Sequence, residues 1–342
     1  MSRLVWNGLL ACLLLSCSGT GESRDPARPD EPAAPAFEEA RLRGSELYFG
    51  HAGSGEFHYR RDADALKPYL RSLETRSGIE VLRDAPADHE HHHGLMLALG
   101  VDDVDFWGEM YAEVPGYQLG LPRAGSARTD TGGLGSGWTI DDVRWLDPRD
   151  GSLRLDELRE LRFTSARRTE PGDPVLLTWW SRLSVPEGRE RVSLWGRPYF
   201  GLGLRLAAPF DGRARFVHPQ GSEGVTVRGD ERLTAGRWCA CTAEVAGRTV
   251  TVAMYDHPDN PRHPARFFTM AEPFAYLSAT LDLAERPLEL ARDESLDLCW
   301  GVAVWEQPVT PERIENHYRT WSDEVAGQRM ASRLPGSEPQ GD

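Results

Sequence analysis

Short runs in which apolar and polar residues alternate, each closed by a turn signal, recur along most of this chain, and that pattern leaves little room for anything but β-structure. Turn signals stand at Arg76-Ser77-Gly78, Asp147-Pro148-Arg149-Asp150-Gly151, Glu170-Pro171-Gly172-Asp173, Pro186-Glu187-Gly188, Asp211-Gly212, Arg228-Gly229-Asp230 and Ala246-Gly247-Arg248. Strands are expected over 175–185, 201–207, 213–218, 237–245, 249–255, 274–281 and 295–305. In the last of these Leu296, Leu298, Trp300, Val302 and Val304 share one face, which is expected to be core. The segment 153–161 fits neither helical nor strand period, and its flanks assign it to strand. One helix is expected near the C-terminus. Thr310 is a good N-cap, Pro311 takes the first helical position, and residues 312–325 run without glycine or proline. The expected fold is all-β: one large antiparallel β-sandwich domain over residues 37–324 with one short C-terminal helix. Length alone would permit two domains, but no linker or internal repeat interrupts the body.

The N-terminus sets the expected compartment. Arg3 provides a positive start and Leu9 to Leu15 a short apolar run, too short for a stable bilayer span and therefore read as an export signal. The run ends in Leu14-Leu15-Ser16-Cys17, which resembles the bacterial lipobox. The resemblance implies a lipoprotein signal peptide over residues 1–16, lipidation of Cys17, and a membrane partner reached through acyl chains. The alternative is an ordinary secretory signal that contains a cysteine. Residues 17–36 read as a flexible tether and 325–342 as a disordered tail, because neither holds enough large apolar side chains to offset ordering entropy. The formal net charge of −14 argues against a nucleic-acid partner and against adhesion to anionic headgroups. The expected location is a bacterial membrane surface, facing the periplasm or the exterior. Beyond Cys17 the cysteines are Cys239, Cys241 and Cys299. A disulfide between Cys299 and one of the other two and a set of three buried thiols both remain open.

The densest chemical signal is Asp88-His89-Glu90-His91-His92-His93-Gly94. Imidazole moves protons near neutral pH and is the commonest metal ligand. In an extended segment His89, His91 and His93 would share one face, with Glu90 and His92 on the other. A metal held by His89, His91 and His92 would need a turn there or ligands from elsewhere. The run either works in a pocket or forms a solvated polar loop. Its continuation into Leu95-Met96-Leu97-Ala98-Leu99, a core-strand pattern, favours the pocket.

Three further groups are candidates. Asp256-His257-Pro258-Asp259-Asn260-Pro261-Arg262-His263-Pro264 is a stiff loop, read as a binding rim through His257, Asn260 and His263 or as a turn whose polar groups cap one another. Phe106-Trp107-Gly108-Glu109 either stacks Trp107 on a sugar ring beside a carboxylate or is core plus an ion pair. Arg205 lies in a strand pattern, as a substrate contact or as a solvated charge. No Gly-x-Ser-x-Gly elbow, phosphate-binding loop or His-Glu-x-x-His helix occurs, which weakens serine-hydrolase, nucleotide-binding and zincin readings.

These strings, with Lys67-Pro68-Tyr69-Leu70, Asp105-Phe106-Trp107-Gly108-Glu109, Gly201-Leu202-Gly203-Leu204-Arg205 and Pro273-Phe274, resemble the DUF6807 family of bacterial exported and lipid-anchored proteins over roughly residues 40–321. Some members of that family carry a methane-oxygenase label, which this sequence does not support because it lacks the membrane spans such a subunit would need. The resemblance implies a fold similar to the large sandwich of aldose mutarotases, where histidines and a carboxylate open and close a sugar ring. Asp88, His89, His91 and His92 match the family's histidine motif, whereas His93 stands where relatives more often carry arginine. The resulting expectation is a carbohydrate-active protein, its status as an enzyme and any cofactor open. One of His89, His91 and His92 would act as acid or base with Asp88 or Glu109 as partner. Trp107, Arg205, His257, Asn260 and His263 would bind substrate. The alternatives are a non-catalytic glycan-binding or scaffold lipoprotein and a metal-binding protein using the same histidines.

Overall fold

A computed structural model of the chain describes residues 41–43, 46–50, 55–61, 66–129, 137–164, 172–219, 221 and 224–326. Cys17, the tether and the tail beyond residue 326 lie outside the described residues. Because apolar side chains alternate with polar ones every second position, each strand can bury one face only against another layer. Three sheets result among the described residues, with antiparallel strand pairing throughout. The fold is the large antiparallel sandwich that the sequence pattern requires.

The largest sheet has ten strands, in the spatial order Arg41–Arg43, Glu46–Phe49, Phe57–Arg60, Tyr69–Leu73, Leu95–Ala98, Gly201–Arg205, Tyr276–Thr280, Arg266–Met270, Arg232–Ala235 and Val225–Thr226. The second has eight: Arg215–Val217, Trp238–Val245, Arg248–Asp256, Ser295–Trp305, Val175–Ser184, Leu153–Thr164, Gly137–Leu146 and Tyr117–Thr129. A small sheet pairs Leu288–Ala291, Arg191–Trp195, Gly100–Val101 and Val104–Asp105. Leu202, Leu204 and Leu277 of the first sheet and Leu177, Val252, Leu298, Trp300 and Val302 of the second are buried in one core cluster. The opposite face of the eight-stranded sheet carries Trp180, Tyr255, Cys299, Ala303 and Trp305. These pack against Ile314, Tyr318, Trp321 and Val325 of the helix Pro311–Ala326. That helix starts as expected, with the Arg313 N–H donating to Thr310 Oγ1. Cys239, Cys241 and Cys299 are buried free thiols, so the disulfide alternative does not form.

The segment that fits neither period is a strand with charges on its inward face. Leu155, Leu161 and Phe163 join the core, and between them the inward positions hold Glu157 and Arg159, both fully out of water. Arg159 Nε and Nη2 donate to the two Glu157 oxygens at 2.7 and 2.9 Å. The remaining Glu157 capacity accepts Trp145 Nε1 at 2.9 Å and Ser181 Oγ at 2.6 Å. Arg159 Nη1 donates to the Pro68 carbonyl at 2.8 Å, which ties the two large sheets together. Such a pair is tolerated only because every group in it is hydrogen-bonded. Replacing Arg159 with leucine strands the Glu157 charge. Urea unfolding of the Arg159→Leu variant is expected to show a loss of about 3–5 kcal/mol. Adding Glu157→Leu to it should recover much of that loss.

Candidate functional site

The histidine segment does not run on as a strand. Ala85 takes a left-handed backbone at φ 40°, and the chain folds into a turn in which the His89 N–H donates to the Pro86 carbonyl and the His92 N–H to the His89 carbonyl. The turn is seated on the ten-stranded sheet through Arg83 N–H to the Arg205 carbonyl and Arg205 N–H to the Gly94 carbonyl. Gly94 is required there, because a Cβ would collide with the Leu70 carbonyl. The turn breaks the alternation expected of an extended run. His89, His91 and His92 come together, with ring centroids 4.5 to 5.8 Å apart, and His93 is sent behind them.

The three gathered rings, with Asp88, line a cavity of about 590 Å³. Its apolar walls are Trp107, Tyr111, Tyr199, Phe268, Phe274 and Tyr276. Its charged lining includes Arg228, Asp230, Glu231 and Glu272, of which Glu231 is buried. Phe268 and Tyr276 belong to the outward face of the ten-stranded sheet, opposite the leucines that fill the core. Gly203 on the next strand leaves space for the Tyr276 hydroxyl, which a Cβ would strike. Burial, reinforced by the Lys67 charge, pushes the His91 imidazole down to about 4. Burial, with His91 and His89 alongside, pushes His92 down to about 2. Both rings are therefore neutral at neutral pH, and each has a buried Nδ1 with no hydrogen-bond partner. His89 lies nearer solvent, with Nδ1 3.1 Å from Asp88 Oδ2.

Behind this wall runs a line of buried charge. Lys67 has no exposed side-chain surface and its Nζ lies 2.7 Å from Glu109 Oε1. The same ammonium donates to the Trp107 carbonyl at 3.0 Å. His93 Nε2 lies 3.0 Å from Glu109 Oε1, and its Nδ1 lies 2.9 Å from Asp84 Oδ1. Burial alone would raise the Glu109 carboxyl, but Lys67 and His93 outweigh it and hold it at about 2. Burial alone would lower His93, and its bonds to Asp84 and Glu109 turn the net shift upward. Asp105 caps the segment by accepting the Trp107 and Gly108 N–H groups at 2.8 and 2.9 Å. Glu109 then enters the short 3₁₀ turn Glu109–Tyr111 with φ 48°. Glu109 is thus occupied behind the cavity and is not among the residues that line it.

Among the other residues singled out in the sequence, Trp107 stands in the cavity wall, 5.1 Å from both His91 and His92. Arg205 is neither a solvated charge nor a cavity-lining residue. It is fully buried, its Cζ 3.7 Å from the Phe274 ring centroid. His257, Asn260 and His263 are not brought to the cavity. Asn260 donates to Asp256 Oδ1 and to the Cys299 carbonyl, both at 2.7 Å, and its Oδ1 accepts the Cys299 N–H. His263 Nδ1 lies 2.7 Å from Asp256 Oδ2, and His257 Nε2 lies 3.3 Å from the Ser322 carbonyl of the C-terminal helix. These contacts hold loop, strand and helix together, the mutual capping that the sequence left open. Among the described residues no three His, Cys, Asp or Glu side chains are grouped so as to hold a metal ion. Sequence reasoning missed Lys67, Tyr111, Tyr199, Phe274 and Tyr276 as site residues. Lys67 and Phe274 lie within the strings that carry the family resemblance, which is the one signal that could have found them.

Over residues 46–319 the chain matches DUF6807, described as a family of unknown function. No curated protein matches it. Among solved structures it is similar to the GH36 α-galactosidase AgaA from Geobacillus stearothermophilus, at 12% identity and TM-score 0.41, with 77% of this chain and 41% of that chain covered. A doubly substituted form of the same enzyme in complex with raffinose gives 11% identity and TM-score 0.41, again over 77% and 41%. The chain spans about two fifths of that enzyme's length.

The desolvated imidazoles make stability fall on acidification. In the unfolded chain they bind protons near pH 6.5, whereas folded His91 resists until about 4 and His92 until about 2, so the unfolded state holds more protons in between. Glu109 adds a further loss as pH falls from about 4.5 towards 2. Unfolding free energies measured from pH 7 to 4 should decline, and the His91→Gln/His92→Gln double variant should show a shallower slope by close to one proton per histidine removed. An unchanged slope would contradict the burial account.

Proposed function

The chain belongs to the DUF6807 family, and we propose that it is a carbohydrate-active protein whose sugar lies in the cavity under the histidine turn. The observation that carries this reading is the pairing of aromatic walls with neutral imidazoles in one hollow. Trp107, Tyr111, Tyr199 and Phe274 offer faces to the C–H surfaces of a sugar ring. His91 and His92, uncharged at working pH, offer one donor and one acceptor each to its hydroxyls. A few polar groups on a largely apolar concave wall is the usual composition of a small-molecule site.

In this reading the proton-transfer pair is Asp88 with His89. The carboxylate accepts from Nδ1–H, which fixes the tautomer and leaves Nε2 free to take a proton from a sugar hydroxyl. Glu109 serves instead as a positioning residue, since Lys67 and His93 occupy it. His91 and His92 orient the ring rather than act as bases, because groups that protonate only near pH 4 and pH 2 are weak proton acceptors. The same property favours a second reading, a glycan-binding module without turnover. Its mark would be saturable binding with no product across a panel of sugars.

We also propose that the protein is exported and held to a bacterial membrane, facing the periplasm or the exterior, by lipid on Cys17. The lipobox-like Leu14-Leu15-Ser16-Cys17 supports this. The Cys17→Ser variant should lose metabolic labelling with palmitate and move from the membrane fraction to the soluble one. For the site, Asp88→Asn and His89→Gln are expected to cut turnover of a cognate sugar by 10²–10⁴-fold with little change in binding. His91→Ala and His92→Ala should weaken binding itself. If all four leave binding and turnover intact, the cavity is not where sugar acts.

A further inference from the structure

The buried polar groups around the cavity are unbalanced. All three nitrogens of Arg205 are buried without a hydrogen-bond partner, whereas Trp107 Nε1, the Tyr276 hydroxyl and Ser278 Oγ are buried against one another. They form one neighbourhood. Trp107 and Ser278 lie beside the Tyr276 hydroxyl, and the Arg205 charge acts on Tyr276, His92 and Asp88. Arg205 and Tyr276 are also paired directly across adjacent strands.

Nearly everything in this group donates. An indole N–H and a guanidinium have no acceptor capacity, and each hydroxyl has a proton to give. The carboxylate nearest to Arg205 is Asp211, at 3.9 Å, and it already accepts the Ala275 N–H at 2.8 Å and Arg83 Nη1 at 3.2 Å. A buried cation without a bonded counter-charge is costly, and where one persists beside a cavity it marks a place where negative charge is received.

The rest of the lining has the opposite character. Asp88, Asp230, Glu231 and Glu272 belong to it. Asp230 accepts the Ala271 and Glu272 N–H groups, Glu231 is paired with Arg228, and Asp88 with His89. Carboxylates therefore stand in the lining on one side, and on the other stand Trp107 and Tyr276, with the Arg205 charge behind the Phe274 ring. A ligand that satisfies both turns its hydroxyls to the first side and an acceptor-rich end to the second.

We propose that the cavity takes an acidic sugar, a uronate or a sulfated sugar, with its anionic oxygens beside Trp107 and Tyr276 and toward the charge of Arg205. This rests on the carbohydrate reading above. Arg205 has no exposed surface and is covered by the Phe274 ring, so its charge acts across that ring, in a low-dielectric wall where it is weakly screened.

The test is calorimetric titration of the full chain in detergent with two matched series: glucose, glucuronate and glucose 6-sulfate, and the corresponding galactose set. At least one anionic member should bind ten times more tightly than its neutral parent. A preference for the uronate assigns a carboxylate, and a preference for the sulfate assigns a sulfate ester. Arg205→Gln should bring anionic and neutral sugars to within about twofold of each other, and Arg205→Lys should keep part of the preference. Should Arg205→Gln not fold, Trp107→Phe, which keeps the ring and removes the N–H, should reduce the same preference. Neutral sugars that bind as tightly as both acidic partners would overturn this proposal and leave the carbohydrate reading standing. Absence of binding in both series would overturn both.

Discussion

Lys67 and Glu109, with Nζ and Oε1 2.7 Å apart and both side chains almost wholly out of water, fix the segment on which the cavity depends. The ammonium also holds the Trp107 carbonyl, so one cation sets the position of an aromatic wall and of the turn that follows it. Neither partner could be buried alone, because an uncompensated charge in this environment would cost more than the contacts around it return. His93 and Asp84 extend the pair into a line of alternating charge, and Tyr69 stacks on His93 with ring centroids 4.2 Å apart. The wall is rigid because each charged member has a partner of opposite sign.

In front of that line the same burial works on groups that have no counter-charge. His91 and His92 respond by staying neutral, as desolvated imidazoles do. The contrast between His93, paired on both nitrogens, and His92, with an unpartnered Nδ1, separates the histidine held in the buried charge line from those that line the cavity. The two large sheets make this possible by spending their leucines on the core between them. The outward face of the ten-stranded sheet is left free for Phe268, Tyr276 and Arg205.

Much of the fold was legible in the sequence, because period-2 burial and turn chemistry are local signals. The face formed by Leu296, Leu298, Trp300, Val302 and Val304 is core, and the helix begins at Pro311 behind Thr310. The segment 153–161 resisted because Glu157 and Arg159 occupy inward positions, and only their mutual pairing across strands explains how charges can stand there. The site was legible in part. Histidine density and the aromatic beside it pointed to residues that the fold brings to one cavity. The division of labour among the histidines was not legible, since it depends on a turn and on a lysine more than twenty residues upstream. Nor was the fate of His257, Asn260 and His263, whose partners Cys299 and Ser322 come from a distant strand and helix. Arg205 read as an ordinary strand charge because nothing nearby in the sequence reports that it is covered by Phe274.

The central claim is that ligand enters the hollow between Trp107 and the paired imidazoles. The most direct measurement is the indole Nε1–H resonance of Trp107 in nitrogen-15 NMR spectra recorded while sugars are titrated in. The account predicts that a binding sugar shifts this resonance saturably, together with the ring signals of His91 and His92, and leaves the buried indole of Trp321 under the C-terminal helix unmoved. A sugar that binds without moving the Trp107 signal would place the carbohydrate site elsewhere and contradict the account.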